Sequence, residues 1–247
     1  MDQIKWLLNI VKNLGFEYRA DGFAVTYKNL GFLDDPKFDE AYRWSSTFKW
    51  NGQSSPWQDF DLRWRCHICI WAISQAMHLK GDFVDCGVDT GVLAGTVAKF
   101  FDFEKIDREY FLFDTYEGIP EVEGMSNSER KMRKTYNAKH YFNSLDFVKE
   151  KFKAYPNVRV VQGFLPDTLE RIKGRKIAYL SVDLNNAPSE KAVIETLWPQ
   201  LSDGAIVVID DYAFAGHTDQ YKIWNDFAVG QKRMIATLPT GQGVLIK

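Results

Sequence analysis

From residue 81 onward, short uniformly apolar runs alternate with longer stretches of helical period. Phe83 to Cys86, Tyr110 to Phe113, Val158 to Gln162, Ile177 to Leu184 and Ala205 to Ile209 predict buried strands. Between them, Val92 to Phe101, Ser144 to Tyr155, a segment opening at Pro166, a segment from Pro188 to near Trp198, and Asp219 to Val229 predict helices. Met234 to Leu238 and Gly243 to Ile246 read as two closing strands, antiparallel at or near a sheet edge, with Pro239-Thr240-Gly241 between them. Repeated strand–helix units followed by such a pair predict an α/β fold: a doubly wound, mainly parallel seven-stranded sheet with helices on both faces.

Upstream the pattern changes. Ile4, Leu7, Leu8, Val11 and Leu14 share one helical face, and Gly15 is a stop. Phe23 to Tyr27 predicts a short strand, Pro36 to Trp44 a helix, Gly52 to Pro56 a polar loop, and Arg63 to Lys80 a helix leading into the first buried strand. The chain therefore divides, as an expectation, into an N-terminal helical and aromatic extension or substrate cap over 1–60 and a main domain over 61–247. Six of the eight tryptophans (6, 44, 50, 57, 64 and 71) lie near this junction. They either cement the extension onto the core or wall a substrate cleft.

Composition narrows the function. With 45% hydrophobic residues the chain can bury a large core. A net charge of -2 gives no reason to expect nucleic acid. No apolar run approaches the roughly 20 residues of a membrane span, and Met1-Asp2-Gln3-Ile4-Lys5 lacks a signal layout. Three cysteines suit a reducing compartment, so a cytoplasmic location is expected. Cys66 and Cys69 flank His67, but no second ligand pair completes a zinc site, so they read as small buried hydrophobes.

The candidate chemistry gathers at the strand ends. Asp85, Gly87 and Gly91 form an acidic-x-Gly-x-x-x-Gly loop between strand and helix. Glycines there allow a sharp turn and close approach of a ligand to the helix start. Asp114, about 20 residues on, is placed as an acid that grips ribose hydroxyls. Asp183, Asp210 and Asp211 end neighbouring strands. Three carboxylates together call for a cation, and their hard oxygens suit Mg²⁺, which could bind an acceptor hydroxyl. His217 follows as a candidate general base. Arg63 and Arg65 are each either a solvated surface residue or a partner for a cofactor carboxylate. His67, His78 and His140 read as structural or surface residues, and Glu121 to His140 as a mobile lid.

These motifs resemble a known family. Phe113-Asp114-Thr115-Tyr116-Glu117-Gly118-Ile119-Pro120 is similar to the Phe-Asp-Thr-Phe-Glu-Gly-Leu-Pro signature of the macrocin O-methyltransferases. The loop from Gly81 to Gly91, the segment Val158 to Leu169 and the segment Leu201 to Tyr212 resemble further motifs of that family. The likeness spans roughly Arg63 to Phe227 and includes the glycine loop of class I S-adenosylmethionine-dependent methyltransferases, which are Rossmann-like. It implies that Asp85, Gly87 and Asp114 bind S-adenosylmethionine and that Asp183, Asp210 and Asp211 hold Mg²⁺; Arg63, Thr90, Gly91, Thr115, Gly163 and Phe164 are the further cofactor contacts expected around them. It also implies a hydroxyl acceptor on a sugar or glycosylated small molecule, with a possible homo-oligomer. The rival expectations are a catechol or phenol acceptor, or a cofactor-binding module without catalysis. Two departures stand out. The family's Asp-x-Asp after the fourth strand is here Ser181-Val182-Asp183, and the lysine base of catechol-type enzymes is replaced by Asn186. Asp183 or His217 is then the expected base, unless the metal-bound hydroxyl loses its proton to solvent.

Overall fold

A computed structural model describes residues 16–247. The helix expected over Ile4 to Leu14 lies outside these residues. Two short hairpins and one helix come first: β1 (Tyr18–Ala20) with β2 (Phe23–Val25), α1 (Pro36–Ser46), then β3 (Lys49–Trp50) with β4 (Gln53–Ser54). Pro36 opens α1, and Asp35 caps it by accepting the backbone N–H of Lys37 at 2.8 Å. Helix α2 (Arg63–Ala76) then leads into the main sheet.

That sheet has seven strands in the order β10-β11-β9-β8-β5-β6-β7. They are β5 (Asp82–Cys86), β6 (Tyr110–Asp114), β7 (Val158–Gln162), β8 (Ile177–Val182), β9 (Leu201–Ile209), β10 (Ala236–Thr237) and β11 (Gly243–Ile246). Strands β5 to β9 pair in parallel, while β11 runs antiparallel to both β9 and β10, as the sequence predicts. Helices α3 (Val92–Phe100), α4 (Asn127–Lys139), α5 (Leu145–Lys151), α6 (Ala187–Leu197) and α7 (Thr218–Gly230) complete the element order.

Strand alternation sorts side chains between two cores. Phe83, Tyr110, Leu112 and Tyr179 pack with α1, α2, α3 and α5 on one face. Val84, Phe111, Phe113, Leu180 and Val182 pack with α6 and α7 on the other. Each such fully buried apolar side chain contributes about 1.5–3 kcal/mol relative to exposure. The same alternation turns Asp85 toward the first face. Cys66 and Cys69 are buried in that core, as small hydrophobes.

The N-terminal elements pack on this face. Ser45 of α1 donates to the carbonyl of Val92 at 2.7 Å, and Trp64 contacts Tyr18, Phe23 and Phe32 edge-on or tilted. Three expectations change. The helix opening at Pro166 is a 3-10 segment, Asp167–Ile172. The closing strand expected over Met234 to Leu238 shortens to Ala236–Thr237, with Met234 exposed. The polar segment before His140 is largely helix α4, fixed by a reciprocal cap between Ser126 and Glu129. Glu129 is buried and also accepts the backbone N–H of Ala187 at 2.6 Å. Among the described residues no helix is long and apolar enough to cross a membrane.

Candidate active site

Strand β5 is the switch point. Its neighbours β6 and β8 leave in opposite directions, so a crevice opens beyond its carboxyl end. The chain turns there through Gly87, at φ 89°. A Cβ on Gly87 would lie 1.8 Å from the carbonyl oxygen of Asp183, so glycine is required by contact as well as conformation. Gly91, at φ 67°, precedes α3 and ends the loop.

Asp114 organises this loop. One carboxylate oxygen accepts the backbone N–H groups of Val88 and Asp89 at 2.6 and 2.8 Å, and the other accepts that of Tyr116 at 2.7 Å. Gly163 donates its N–H to the Asp114 carbonyl at 2.9 Å, which joins β7's end to the same rim. An open cleft results, lined by Gly87, Val88, Asp114, Thr115, Gly163 and Asp183 among others. Leu165 lines it too, whereas Phe164, the expected adenine contact, stands 58% exposed and does not.

A second chamber of about 310 Å³ adjoins the first and shares Gly87, Val88, Asp89, Tyr141, Asp183 and Asn185 with it. Its floor holds Asp85, Ser181, Asp210, Asp211 and Arg65, and its wall holds Trp57, Phe60, Tyr136, His140, Tyr141 and Phe214. Trp57 stacks on His140 with ring centroids 5.1 Å apart and donates its Nε1–H to Asp89 at 2.7 Å. Both readings of the tryptophans therefore hold, for different residues: Trp64 cements, Trp57 walls the chamber. His140, expected as a structural or surface residue, faces this chamber.

The acids are strongly tuned. Asp85 accepts the Tyr110 hydroxyl at 2.8 Å on Oδ2, while its buried Oδ1 has no partner among the described residues. Burial pushes its carboxyl up to about 7, against the lowering effect of the Tyr110 hydrogen bond. Asp89 is likewise pushed up to about 7 by burial and by Asp114. Burial and the neighbouring Asp210 and Asp211 hold Asp183 well above the usual carboxylate range. An unpartnered carboxylate oxygen at the chamber floor, beside a glycine loop and an acid rim, fits a nucleoside cofactor carrying positive charge. The residues present match S-adenosylmethionine in that respect.

Mg²⁺ fares differently. Asp183, Asp210 and Asp211 do converge, with one oxygen from each within 4.8 Å of the others. Both Asp210 oxygens are already accepting, however: Oδ1 from Gln242 Nε2 at 2.9 Å and Oδ2 from Arg65 Nη1. Arg65 Nη1 also lies 3.4 Å from Asp211 Oδ1. A guanidinium thus occupies the place between two of the three acids, and the donor set as built does not fit Mg²⁺.

Three further expectations are revised by position. Arg63 directs its Nε and Nη2 at Asp61, at 2.9 and 2.6 Å, and does not line either cavity. Its neighbour Arg65 reaches the rim instead. His217 is buried behind the acids: its Nε2 is 3.8 Å from Asp211 and its Nδ1 pairs with Gln220 at 2.9 Å. It lines neither cavity. The Thr90 hydroxyl is buried against Ser55 at 2.8 Å, and Thr115 donates to the Gly118 carbonyl at 2.7 Å, so loop contacts engage both hydroxyls although Thr90 lines the chamber and Thr115 the cleft. Asn186 caps α6 by accepting the N–H of Ser189 at 2.9 Å. Sequence reasoning did not single out Asp21 or Gln242, which both belong to this rim through Arg65 and Asp210.

The comparisons agree with this architecture. Residues 65–236 match the macrocin O-methyltransferase (TylF) family. A rhamnosyl-tetracenomycin C 4'-O-methyltransferase from Streptomyces olivaceus is 32% identical over 111 residues, 43% of this chain and 42% of that protein. A demethyldecarbamoylnovobiocin O-methyltransferase from Streptomyces niveus is 29% identical over 168 residues, 61% of this chain and 62% of that protein. The alignments therefore span between 42% and 62% of these relatives' lengths. In fold, the structure of the O-methyltransferase NovP superposes with a TM-score of 0.66 at 20% identity, covering 100% of this chain and 99% of that one. With more than half of the chain matched, this protein belongs to the macrocin O-methyltransferase family.

Proposed function

We propose that this chain transfers a methyl group from S-adenosylmethionine to a hydroxyl of a sugar or glycosylated small molecule. The observation that carries the reading is Asp183, which lies in the wall shared by the two cavities. Adenosine would occupy the smaller cleft, with its ribose at the Asp114 rim and its adenine toward Gly163 and Leu165. The sulfonium would then face the chamber across Gly87, where Asp85 offers a carboxylate oxygen without a partner.

In the reaction the acceptor oxygen attacks the methyl carbon as the sulfur–carbon bond breaks. S-adenosylmethionine, when bound, would supply the methyl group and leave as a neutral thioether, and Asp183 would take the hydroxyl proton. A carboxyl held above the usual range is a stronger base than a free one once ionised. Its Oδ1 accepts Asn185 Nδ2 at 2.9 Å, which leaves Oδ2 for the proton. Positioning supplies much of such catalysis, about 7–11 kcal/mol when reacting groups are well aligned. The aromatic wall suits that role, since flat rings stack on the apolar faces of a sugar or an attached aglycone. The relative named for a rhamnosyl-bearing tetracenomycin C supports the acceptor class. The convergence of three aspartates favours the Mg²⁺ expectation, but the engagement of Asp210 opposes it, and no step here runs through a metal.

The test is methyl uptake from labelled cofactor across nucleotide sugars, glycosides and phenols. Transfer to a glycoside or sugar nucleotide is expected. Transfer to phenols alone would replace the acceptor class.

A further inference from the structure

Arg65 is buried, 6% exposed, and every nitrogen of its guanidinium is engaged. Nε and Nη2 hold the two oxygens of Asp21 at 2.7 and 3.2 Å. Nη2 also donates to the Thr240 carbonyl at 3.1 Å. Nη1 donates to the Asp210 carbonyl at 3.2 Å and to the Asp210 carboxylate, and lies 3.4 Å from Asp211. The other Asp210 oxygen is fixed by Gln242, itself fully buried and held by the Thr240 hydroxyl at 3.0 Å.

On the methyltransferase reading above, we propose that the Arg65 guanidinium, and not a divalent metal ion, is the resident cation of the Asp183–Asp210–Asp211 cluster, so that this enzyme works without metal. The argument is one of occupancy. A metal on Asp210 would have to share an oxygen with the Arg65 guanidinium or the Gln242 amide, or displace one of them, and displacement would leave a buried polar group without a partner. A divalent ion on Asp183 and Asp211 alone would sit beside a guanidinium that is already in place, with like charges in contact. Ser181, on the same floor, adds only a neutral hydroxyl. An arginine cannot lose its proton in a protein, so it supplies a fixed positive charge at the chamber floor.

Arg65 is a positioning residue in this account. It aims Asp210 and Asp211, and it ties the β1–β2 turn at Asp21 and the β10–β11 turn at Thr240 to one rim. The cluster keeps the electrostatic part of a metal's role and gives up exchangeable coordination sites.

The experiment titrates Mn²⁺ into the full chain, with and without S-adenosylhomocysteine, and follows bound metal by electron paramagnetic resonance. The wild type is expected to bind no Mn²⁺ at the cluster. Arg65→Met is expected to gain Mn²⁺ affinity by at least about tenfold, because the competing cation is gone. Arg65→Lys should remain metal-free, a rescue by charge that a purely packing role would not give. One Mn²⁺ bound per wild-type chain, lost in Asp211→Asn, would overturn the proposal. Should Arg65→Met fail to fold, the wild-type titration decides the matter alone. Failure to bind S-adenosylhomocysteine is a separate result: it would remove the methyltransferase reading, while the Mn²⁺ titration would still decide the identity of the cation.

Discussion

The Tyr110 hydroxyl donates to Asp85 Oδ2 at 2.8 Å, while Asp85 Oδ1 is buried without a partner among the described residues. The side chain is half-satisfied and its carboxyl is pushed up to about 7. A cationic ligand beside it favours the ionised form. Binding must then lower its pKa and release a proton wherever the free protein is still protonated, which is the window below about 7. Calorimetry of S-adenosylmethionine, which carries the sulfonium charge, in buffers of different ionisation enthalpy should report proton release at pH 6 to 7 on the order of a fraction of a proton, and the neutral thioether S-adenosylhomocysteine should report less. The release should fade at pH 8 and shrink in Asp85→Asn. Proton uptake across that window would contradict this role.

Gly87 and Gly174 make a matched pair. Both have positive φ, 89° and 78°, but a Cβ at 174 meets nothing within 4 Å, while one at 87 collides with the Asp183 carbonyl at 1.8 Å. Gly174→Ala should cost only backbone strain, about 1 kcal/mol. Gly87→Ala should lower the melting temperature further and abolish S-adenosylhomocysteine binding. Equal effects at the two positions would show that contact at residue 87 does not matter.

Lys151 is buried, with Nζ donating to the carbonyls of Ser45 at 2.8 Å and Thr90 at 3.0 Å. Burial lowers its pKa to about 7. A neutral amine still has two N–H bonds, which match those two carbonyls. From about 7 up to the ordinary lysine value of 10.5, the unfolded chain binds the proton and the folded one does not. Stability should therefore rise with pH over that window through this residue. Urea unfolding of Lys151→Met should show a flatter rise between pH 7 and 9, by about one unit of pKa-linked free energy or more. A slope unchanged from wild type would contradict the assignment.

Asp183→Asn should lower turnover by about 10²–10⁴, the usual range for loss of a general base, and leave S-adenosylhomocysteine affinity nearly unchanged. His217→Gln should cost far less, since that ring is buried behind Asp211. If the histidine variant lost more activity than the aspartate variant, the base would have to be reassigned.

The sheet was legible because its strands are short, apolar and separated by helices, and each parallel strand ends in a residue whose chemistry differs from its body. Gly87, Asp114 and Asp183 are found at the rim for that reason. The roles of Arg63 and Arg65 were not legible. Both open one helix two residues apart, and only the fold reveals that Asp61 takes the first while Asp21 and Asp210 take the second. Asp21 is 44 positions from Arg65, and Asp210 is 145 away, so no local pattern links them. His217 misled for a related reason. Its proximity to Asp211 in sequence suggested a shared face, but it closes the start of α7 from beneath. The polar segment before His140 looked loop-like because charges dominate it, and its helix depends on the Ser126–Glu129 cap and on Glu129 reaching Ala187.

The most direct test is a crystal structure of the chain with S-adenosylhomocysteine. The account expects the ribose at Asp114, the adenine near Gly163 and Leu165, and the thioether sulfur facing the aromatic chamber beside Asp183. A ligand bound elsewhere, or with its sulfur turned away from Asp183, would contradict it.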